Sequence, residues 1–430
     1  MTTGRLVGIA LVVIAAGIGL TEWLMPNAAP APESNARGSN APTELSRPTR
    51  IAVLNGTDVV VTDPNAGRVF RISGTDISVL AGSGEQCSGP TCGAEGPAVD
   101  ATLSHPLGVA ASASGVLISD NHLARVFRVE AGMLERVAGT GRRGYSGDGG
   151  PATAALLGSP TGLSIIARGF LVADDEYCVI RRVSDGIIRT VAGTGDCGFA
   201  GDGGPALAAQ LRAPGDVAAF PDGASFLIAD TDNGRIRRVD SVGQITTIAG
   251  NGKRGFRDGP AQDAQFNEPE SIAIGATGDI LIVDTDNSRL RLLREGAVAT
   301  VAGVGRRGHV GDGGPATEAW LNYPMGAVSW HGGWLVADTN NAAVRRIEGN
   351  VLGHHAGRRA DGTRVKERLS VVARERLVER ARSGVDVDQF SKELARSVGA
   401  LPPATVLDGL RAGNLHPLEA WLKNPESLQR

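Results

Sequence analysis

Aspartate, asparagine and arginine recur in a fixed order along this 430-residue sequence, and such groups could bind a ligand or transfer protons. The aspartate closes a β-branched run and returns after 54 to 57 residues, at Asp63, Asp120, Asp174, Asp230, Asp284 and Asp338. A catalytic residue is needed once, whereas a turn residue is needed in every repeat. We therefore predict that these residues cap turns and join neighbouring repeats by hydrogen bonds. The predicted structural set is Asp120, Asp174, Asp230, Asn233, Arg235, Asp284, Asn287, Arg289 and Asp338.

The possible metal ligands are scattered along the chain. Only His105 of the seven histidines directly precedes a predicted first strand of a repeat, and the neighbours His354 and His355 point to opposite faces of a strand. Each glycine-rich loop supplies one acidic residue, whereas Ca²⁺ takes about six to eight oxygen ligands. A Gly-x-Ser-x-Gly elbow and a phosphate-binding loop are both missing. We predict no cofactor or metal, with calcium as the lesser alternative.

The four cysteines allow three disulfide pairings. Cys87 and Cys92 delimit a small loop that could close on itself, and Cys178 and Cys197 would then pair across one repeat. No histidine accompanies them at zinc-ligand spacing. Two disulfides are therefore the favoured prediction for an exported chain, with four buried free thiols as the alternative.

The repeat itself predicts the fold. Segments 228–239, 282–293 and 336–347 share one pattern, and weaker copies begin near Val61, Ile118 and Val172. Each copy contains four short apolar stretches separated by turns, which is typical of a propeller blade. No helix-length segment with a 3.6-residue period lies inside a repeat, which excludes an α-solenoid. We predict an all-β, six-bladed β-propeller over residues 47–357, with every blade built from consecutive segments.

Glycine-rich linkers connect the predicted blades. The linker of 139–157 contains Gly-Asp-Gly-Gly-Pro-Ala, close relatives begin at Gly193, Gly250 and Gly303, and a diverged one begins at Gly82. Together with the blade pattern, these linkers resemble the NHL-repeat family of propellers, in particular its bacterial cell-surface and teneurin-like members. The resemblance implies a six-bladed propeller. It does not imply one function, because propellers carry many.

The N-terminal segment is separate from the predicted propeller. Arg5 precedes an apolar run that extends from Leu6 to Met25, long enough to cross a bilayer. An uncleaved anchor over residues 1–25 is the favoured interpretation and a cleaved signal peptide the alternative. Arg5 favours a cytoplasmic N-terminus, which places the remainder on the periplasmic or extracellular side. Residues 26–46 are predicted to be a flexible linker.

The C-terminal segment, residues 358–430, has a different pattern. Apolar residues recur at helical spacing, as in Leu369, Val372 and Leu377, and Pro402 and Pro417 separate further short segments. We predict a helical appendage that docks on the propeller or on a partner.

Basic and aromatic residues accumulate in three of the linkers. In a propeller these linkers share a rim with the turns between second and third strands, and long loops on a rigid scaffold often bind partners. The predicted binding residues are Arg142, Arg143, Tyr145, Lys253, Arg254, Phe256, Arg306, Arg307 and His309. The alternative is that the aromatic side chains plug the linkers while the charges are merely solvated.

These patterns favour a membrane-anchored, extracytoplasmic binding or scaffold protein that presents one propeller face to a protein, peptide or glycan of the cell envelope. The formal net charge of −3 gives no indication of nucleic-acid binding. A lyase or lactonase acting at the central channel is the alternative, and a structural role through the helical tail is the third hypothesis. Acids and histidines converging in the channel would favour the enzyme, and a channel of Ala, Gly and Val would favour binding.

Overall fold

The computed structural model describes residues 44–357 except 86 and 88–91, together with 378, 381, 387, 404–412, 417 and 418. Six antiparallel sheets follow one another along the chain. The predicted anchor of residues 1–25 lies outside the described residues, as does most of the predicted helical tail, of which helix α1 (Ala404–Arg411) is described. No helix among the described residues is both long and apolar enough to span a bilayer.

Each sheet is one blade whose strands come from consecutive segments. Blade 1 consists of β1 (Ile51–Leu54), β2 (Asp58–Asp63), β3 (Arg68–Ser73) and β4 (Asp76–Ala81). Blade 2 consists of β5 (Gly96–Pro97), β6 (Pro106–Ser112), β7 (Gly115–Asp120), β8 (Arg125–Glu130) and β9 (Met133–Ala138). Blade 3 consists of β10 (Pro160–Ile166), β11 (Gly169–Asp174), β12 (Val179–Ser184) and β13 (Ile187–Ala192).

The second half of the ring repeats this arrangement. Blade 4 consists of β14 (Pro214–Ala219), β15 (Phe226–Asp230), β16 (Arg235–Val239) and β17 (Ile245–Ala249). Blade 5 consists of β18 (Gly259–Pro260), β19 (Pro269–Ile274), β20 (Ile280–Asp284), β21 (Arg289–Arg294) and β22 (Ala297–Ala302). Blade 6 consists of β23 (Pro324–Trp330), β24 (Gly333–Asp338), β25 (Ala343–Glu348) and β26 (Val351–Gly357).

The six-bladed prediction is confirmed, and so is the prediction that no blade combines strands from both ends of the propeller. The prediction of four strands in every blade was incomplete, because β5 and β18 add a two-residue strand to blades 2 and 5. Both are linker segments that pair with the outer strand, β5 with β9 and β18 with β22.

The hydrophobic core lies between neighbouring blades. Six clusters of buried side chains each combine residues of two adjacent blades, since alternate strand residues face the sheets on either side. The cluster that closes the ring joins Ile51 and Val59 of blade 1 to Leu335 and Val344 of blade 6. Burial of apolar surface therefore closes the ring without strand exchange.

Every linker leaves and returns to the same face of the propeller. The linker between blades 2 and 3 starts after β9 and runs along the outer strand β13, where the amide of Gly149 donates to the carbonyl of Ile188. A 3-10 turn, Ala152–Ala154, then redirects the chain to β10. We call this face, which also carries the turns after the register aspartates, the linker face. The other 3-10 turns are Pro64–Ala66, Ala98–Asp100, Ala206–Ala208, Thr231–Asn233, Ala316–Glu318 and Thr339–Asn341.

The two predicted disulfides are present. Cys87 and Cys92 close a loop inside the first linker, and their Cα atoms are 5.7 Å apart. Cys178, at the start of β12, pairs with Cys197 of the following linker across a Cα separation of 5.3 Å. The second bond therefore ties the linker between blades 3 and 4 to the blade that precedes it.

We predict that Cys178→Ala/Cys197→Ala lowers the free energy of unfolding by about 3 kcal/mol, because the bond closes a longer loop in the unfolded chain. Urea unfolding of the oxidised protein measures the loss. The matched control is Cys87→Ala/Cys92→Ala, whose shorter loop predicts a loss of about 2 kcal/mol. Reaction of the denatured, unreduced protein with a thiol reagent would contradict both disulfides.

Candidate functional site

The register aspartates are buried at the start of the turn between the second and third strands. Asp230 accepts hydrogen bonds from the amide of Arg212 at 2.7 Å and from Asn233 Nδ2 at 2.9 Å. Asp284 and Asp338 accept the corresponding pair of bonds, while Asp120 and Asp174 accept backbone amides on both sides of the turn. Burial raises the pKa of these five carboxyl groups. Their contacts are those of turn capping.

In blades 4 and 5, the asparagine and the arginine that follow the register aspartate reach the linkers. Asn233 and Asn287 donate to the carbonyls of Gly198 and Gly255, at 2.8 Å and 2.7 Å. Arg235 donates to the carbonyl of Asn251 at 3.0 Å, and Arg289 makes the same type of bond to Val304. The asparagine thus joins its blade to the linker before it, and the arginine joins the blade to the start of the linker after it.

A second arginine was missed in the sequence. It lies on the third strand, two residues after Arg235 or its counterpart in another blade. The repeats do not all have the same residue at this position, so it was not predicted from the sequence. Blades 3 to 6 carry it with its side chain fully buried, whereas blades 1 and 2 have Phe70 and Phe127 in the same register. The four residues are Arg181, Arg237, Arg291 and Arg345. Because four of six copies agree, aligning this position across the repeats would have revealed it.

Each buried arginine binds the acidic residue of the preceding linker. The nitrogen to oxygen distances are 2.6 to 2.8 Å for the pairs Arg181–Asp148, Arg237–Asp202, Arg291–Asp258 and Arg345–Asp312. In blades 4, 5 and 6 the same guanidinium also binds the register aspartate, at 2.7 to 3.2 Å. A buried guanidinium is stable only when its charge and donors are satisfied, so the linker and the register carboxylates hold it from two sides. We call each linker–arginine pair a linker lock.

The predicted basic residues lie on the linker face, but half of them are engaged locally. Arg143 forms an ion pair with Glu176 of the next blade, and Arg307 lies 3.4 Å from Asp286. Arg254 binds Asp232 and Glu268, each at 3.0 Å. The charges of these three arginines are therefore not merely solvated. Each of these second basic residues joins two neighbouring blades.

The first basic residue of each pair is more open. Arg142 and Lys253 are exposed, and the guanidinium of the exposed Arg306 lies 5.7 Å from the ring of Trp320. Among the described residues these two exposed side chains, Arg142 and Lys253, have no recorded ion pair. They are the basic groups of the linker face that are best placed to meet a partner.

The linker aromatics lie on the arginines. Phe256 covers Arg289 at 3.8 Å and Arg291 at 4.8 Å, and Tyr145 covers Arg181 at 5.2 Å. Phe199 covers Arg235 in the same way at 3.8 Å, although sequence reasoning overlooked it. The rings nevertheless remain 37 to 45% exposed. One face of each aromatic ring therefore packs against an arginine side chain, while the other face is exposed to solvent.

The exposed apolar side chains are concentrated in the linkers. Among the described residues, six of the nine large hydrophobic side chains that are exposed belong to these segments: Val99, Tyr145, Phe199, Leu207, Phe256 and Val310. Linkers thus combine exposed rings, exposed aliphatic groups and cationic side chains on a backbone that the linker locks immobilise.

The central channel contains a cavity of about 380 Å³. The first strands of all six blades line it, mainly with Ala, Val, Ile and Leu, and Ser164, Ser271 and Ser329 add hydroxyl groups. No histidine of the described part of the chain lines it. The residues are therefore of the type that we associated with binding rather than with catalysis.

One charged cluster lies at the linker-face end of the channel. Arg50 reaches across from blade 1 and donates to the carbonyls of Gly215, Glu270 and Met325, on blades 4, 5 and 6. Asp216 accepts from Ser271 Oγ at 2.7 Å and from the amide of Ile272 at 3.2 Å. Burial raises the pKa of Asp216. These charged groups are therefore hydrogen-bonded. They connect the blades at the centre of the ring, which the six repeated strands alone would leave open.

Blade 3 departs from the other blades at Asp175. Blades 4, 5 and 6 have threonine here, and Thr231 and Thr285 donate to carbonyls of the next blade at 2.9 and 2.8 Å. Asp175 is instead a partly buried acid. The pKa of Asp175 is raised from 3.8 to about 6, mainly by burial; a hydrogen bond from Ser159 opposes the rise, and the neighbouring carboxylates Asp174 and Glu176 add to it.

Ionised Asp175 should therefore destabilise the fold. Because the folded pKa is raised, its contribution to stability is present below pH 4 and is lost as the pH rises through about 6. We predict that Asp175→Asn is more stable than the wild type by up to about 3 kcal/mol at pH 8, with no difference at pH 4. Urea unfolding at both pH values measures this, with the exposed Asp196→Asn as control. A gain that is equal at pH 4 and pH 8 would contradict the assignment.

Comparison with known proteins agrees with this architecture. The NHL repeat family model matches residues 266–291, which comprise β19, β20 and the following turn. Teneurin-4 of Mus musculus is 29% identical over 279 residues, and NHL repeat-containing protein 2 of Bos taurus is 27% identical over 287 residues. These alignments cover 55% and 58% of the chain. They cover only 10% of teneurin-4 and 39% of the bovine protein.

A solved structure shows the same fold. A protein of unknown function from Bacteroides thetaiotaomicron superposes with a TM-score of 0.52 at 16% identity, covering 73% of this chain and 72% of the other. Six consecutive blades, an NHL repeat in the fifth and relatives that contain NHL repeats all agree. The chain is a six-bladed β-propeller that carries an NHL repeat in blade 5, and it is similar to proteins that contain NHL repeats.

Proposed function

We propose that this chain is a binding protein that presents the linker face of its propeller to a protein, peptide or glycan partner. The observation that carries the proposal is the concentration of exposed aromatic, aliphatic and cationic side chains on linkers that the buried arginines hold in place.

The linker face has the composition of a recognition surface. Aromatic residues and arginine are enriched at protein interfaces, because they combine apolar area with directional hydrogen bonding. Side chains on an immobilised backbone lose less conformational entropy when a partner binds. The linker locks therefore favour affinity as well as stability.

The open basic residues indicate the charge of the partner. Arg142, Lys253 and Arg306 lie at equivalent places on three linkers, whereas Arg143, Arg254 and Arg307 have local acidic partners. A partner with acidic groups would meet cations that need not first break an ion pair. Phe256, Tyr145 and Phe199 would supply the apolar part of the contact.

We also propose that the propeller lies outside the cytoplasm, anchored by the N-terminal apolar run. Two disulfides support an oxidising compartment, because such bonds persist in exported proteins and are rare in the cytosol. The partner would then be a component of the cell envelope.

A lyase or lactonase at the central channel has less support. Most residues that line the channel are aliphatic, and Asp216 is engaged by Ser271 and by a backbone amide. Glu270 faces Arg50 at 3.4 Å. Neither carboxylate is thus placed as a general base for a substrate.

The test is capture of envelope components by the full-length chain and by a linker-face variant. We predict that Arg142→Ser/Lys253→Ser/Arg306→Ser reduces capture at least tenfold, and that wild-type capture falls as salt rises. The melting temperature should hardly change, because exposed arginines and lysines contribute little to folding.

The control lies on the opposite face. Arg168 is exposed in the turn between β10 and β11, so Arg168→Ser should capture as much partner as the wild type. Trp330 is unsuitable as a control, because it packs against His331 and His355. Equal capture by the triple variant and the wild type would place recognition elsewhere.

A further inference from the structure

Blade 6 departs from the repeat at two positions around the same carboxylate. In the linker before it, His309 follows the glycine that Tyr145, Phe199 and Phe256 follow in other linkers. On its outer strand, His354 pairs with the buried arginine Arg345, where the equivalent residues are threonines. Both changes put an imidazole beside Asp312, the acid of that linker.

The equivalent acids in other blades have no such neighbours. One oxygen of Asp148, Asp202 or Asp258 binds the buried arginine, and the second accepts from the main-chain amide or the hydroxyl of a threonine. In blade 6 the second oxygen, Asp312 Oδ2, lies 3.7 Å from His309 Nε2 and 3.9 Å from His354 Nδ1. The two imidazole rings stack with their centroids 5.9 Å apart.

From this geometry we propose that His309, Asp312 and His354 form a binding site for a divalent transition-metal ion, with zinc as the best match. Two imidazoles and a carboxylate are ligands that Zn²⁺ favours, while Ca²⁺ and Mg²⁺ favour oxygen alone. The ligand atoms lie within 4.8 Å of one another. A tetrahedral zinc site with bonds of about 2.0 to 2.2 Å holds its ligand atoms about 3.3 Å apart. Small rotations of the three side chains would bring their ligand atoms from the separations seen here to that distance.

The surroundings support a cation and one further ligand. Arg345 binds Asp312 Oδ1 at 2.8 Å and Asp338 at 3.2 Å, so two carboxylates face a single guanidinium. The arginine also fixes the orientation of Asp312, as outer hydrogen bonds do for metal-bound carboxylates. The histidine side chains are buried, but that of Asp312 is 33% exposed. A metal would thus keep an open position on the solvent side.

Nothing else in the described part of the chain offers an equivalent set. These three residues are the one group there in which three histidine, cysteine or acidic side chains converge closely enough for an ion. His355 points away from the site and packs against Trp330, with its pKa lowered to about 3 mainly by burial. All four cysteines are in disulfides and do not compete for zinc.

Isothermal titration of the untagged, chelator-treated full-length chain with zinc chloride tests the site. The wild type should bind one zinc ion per chain. The variant His309→Phe/His354→Thr restores the residues of the other blades, so it should keep the fold, and its Kd for zinc should rise at least tenfold per histidine removed, about 100-fold in total. The control His331→Asn, in an exposed turn at a φ of 47°, should bind like the wild type.

A second measurement needs no variant. Zinc added to the wild type should shift the imidazole NMR signals of two of the seven histidines. It should also raise the melting temperature of the wild type more than that of either single variant, His309→Phe or His354→Thr. Absence of stoichiometric binding, equal zinc affinity in the double variant, or shifts of histidines other than these two would overturn the proposal.

Discussion

The structure depends on a guanidinium buried between each of the last four blades and the linker before it. Such a group costs several kcal/mol to desolvate unless opposite charge and hydrogen-bond acceptors compensate it. Arg237, Arg291 and Arg345 each receive two carboxylates, one from their own blade and one from the linker. The linker must therefore stay in place for the guanidinium to keep all of its hydrogen-bond acceptors. Because of this requirement, the long glycine-rich linkers have fixed positions in the propeller.

The blades that lack this arginine show what replaces it. Phe70 and Phe127 fill its position with apolar volume, which removes the need for a carboxylate from the linker. The linker that enters blade 2 contains the disulfide between Cys87 and Cys92 instead, and Arg125 donates to the carbonyl of Cys92 at 2.6 Å. Two different devices thus restrain the linkers, and both leave the linker surface available for recognition.

The fold could be predicted because its signal repeats six times. Asp230, Asn233 and Arg235 have counterparts in other blades, and turn capping follows from their recurrence. Contacts between segments that are distant in the sequence were harder to predict. The ion pair of Arg237 was not predicted, because its partner Asp202 is 35 residues away and no local sequence rule joins the two residues. The ion pair between Arg143 and Glu176 was missed for the same reason, and so was the bridge that Arg50 makes across the channel. The periodicity of the sequence predicts the strands, whereas these contacts form only when segments that are distant in the sequence come together in the ring.

Hydrogen–deuterium exchange of the linker between blades 4 and 5 tests the central claim most directly. Asp258→Ala removes the linker side of the lock but leaves Arg291 paired with Asp284, so blade 5 keeps its buried charge compensated. The account predicts faster exchange at the amides of Gly255, Arg257 and Ala261, with unchanged protection in β20 and β21. The exposed Asp263→Ala in the same linker should exchange like the wild type. Unchanged protection of the linker in Asp258→Ala would contradict the claim that the buried arginine holds it in place.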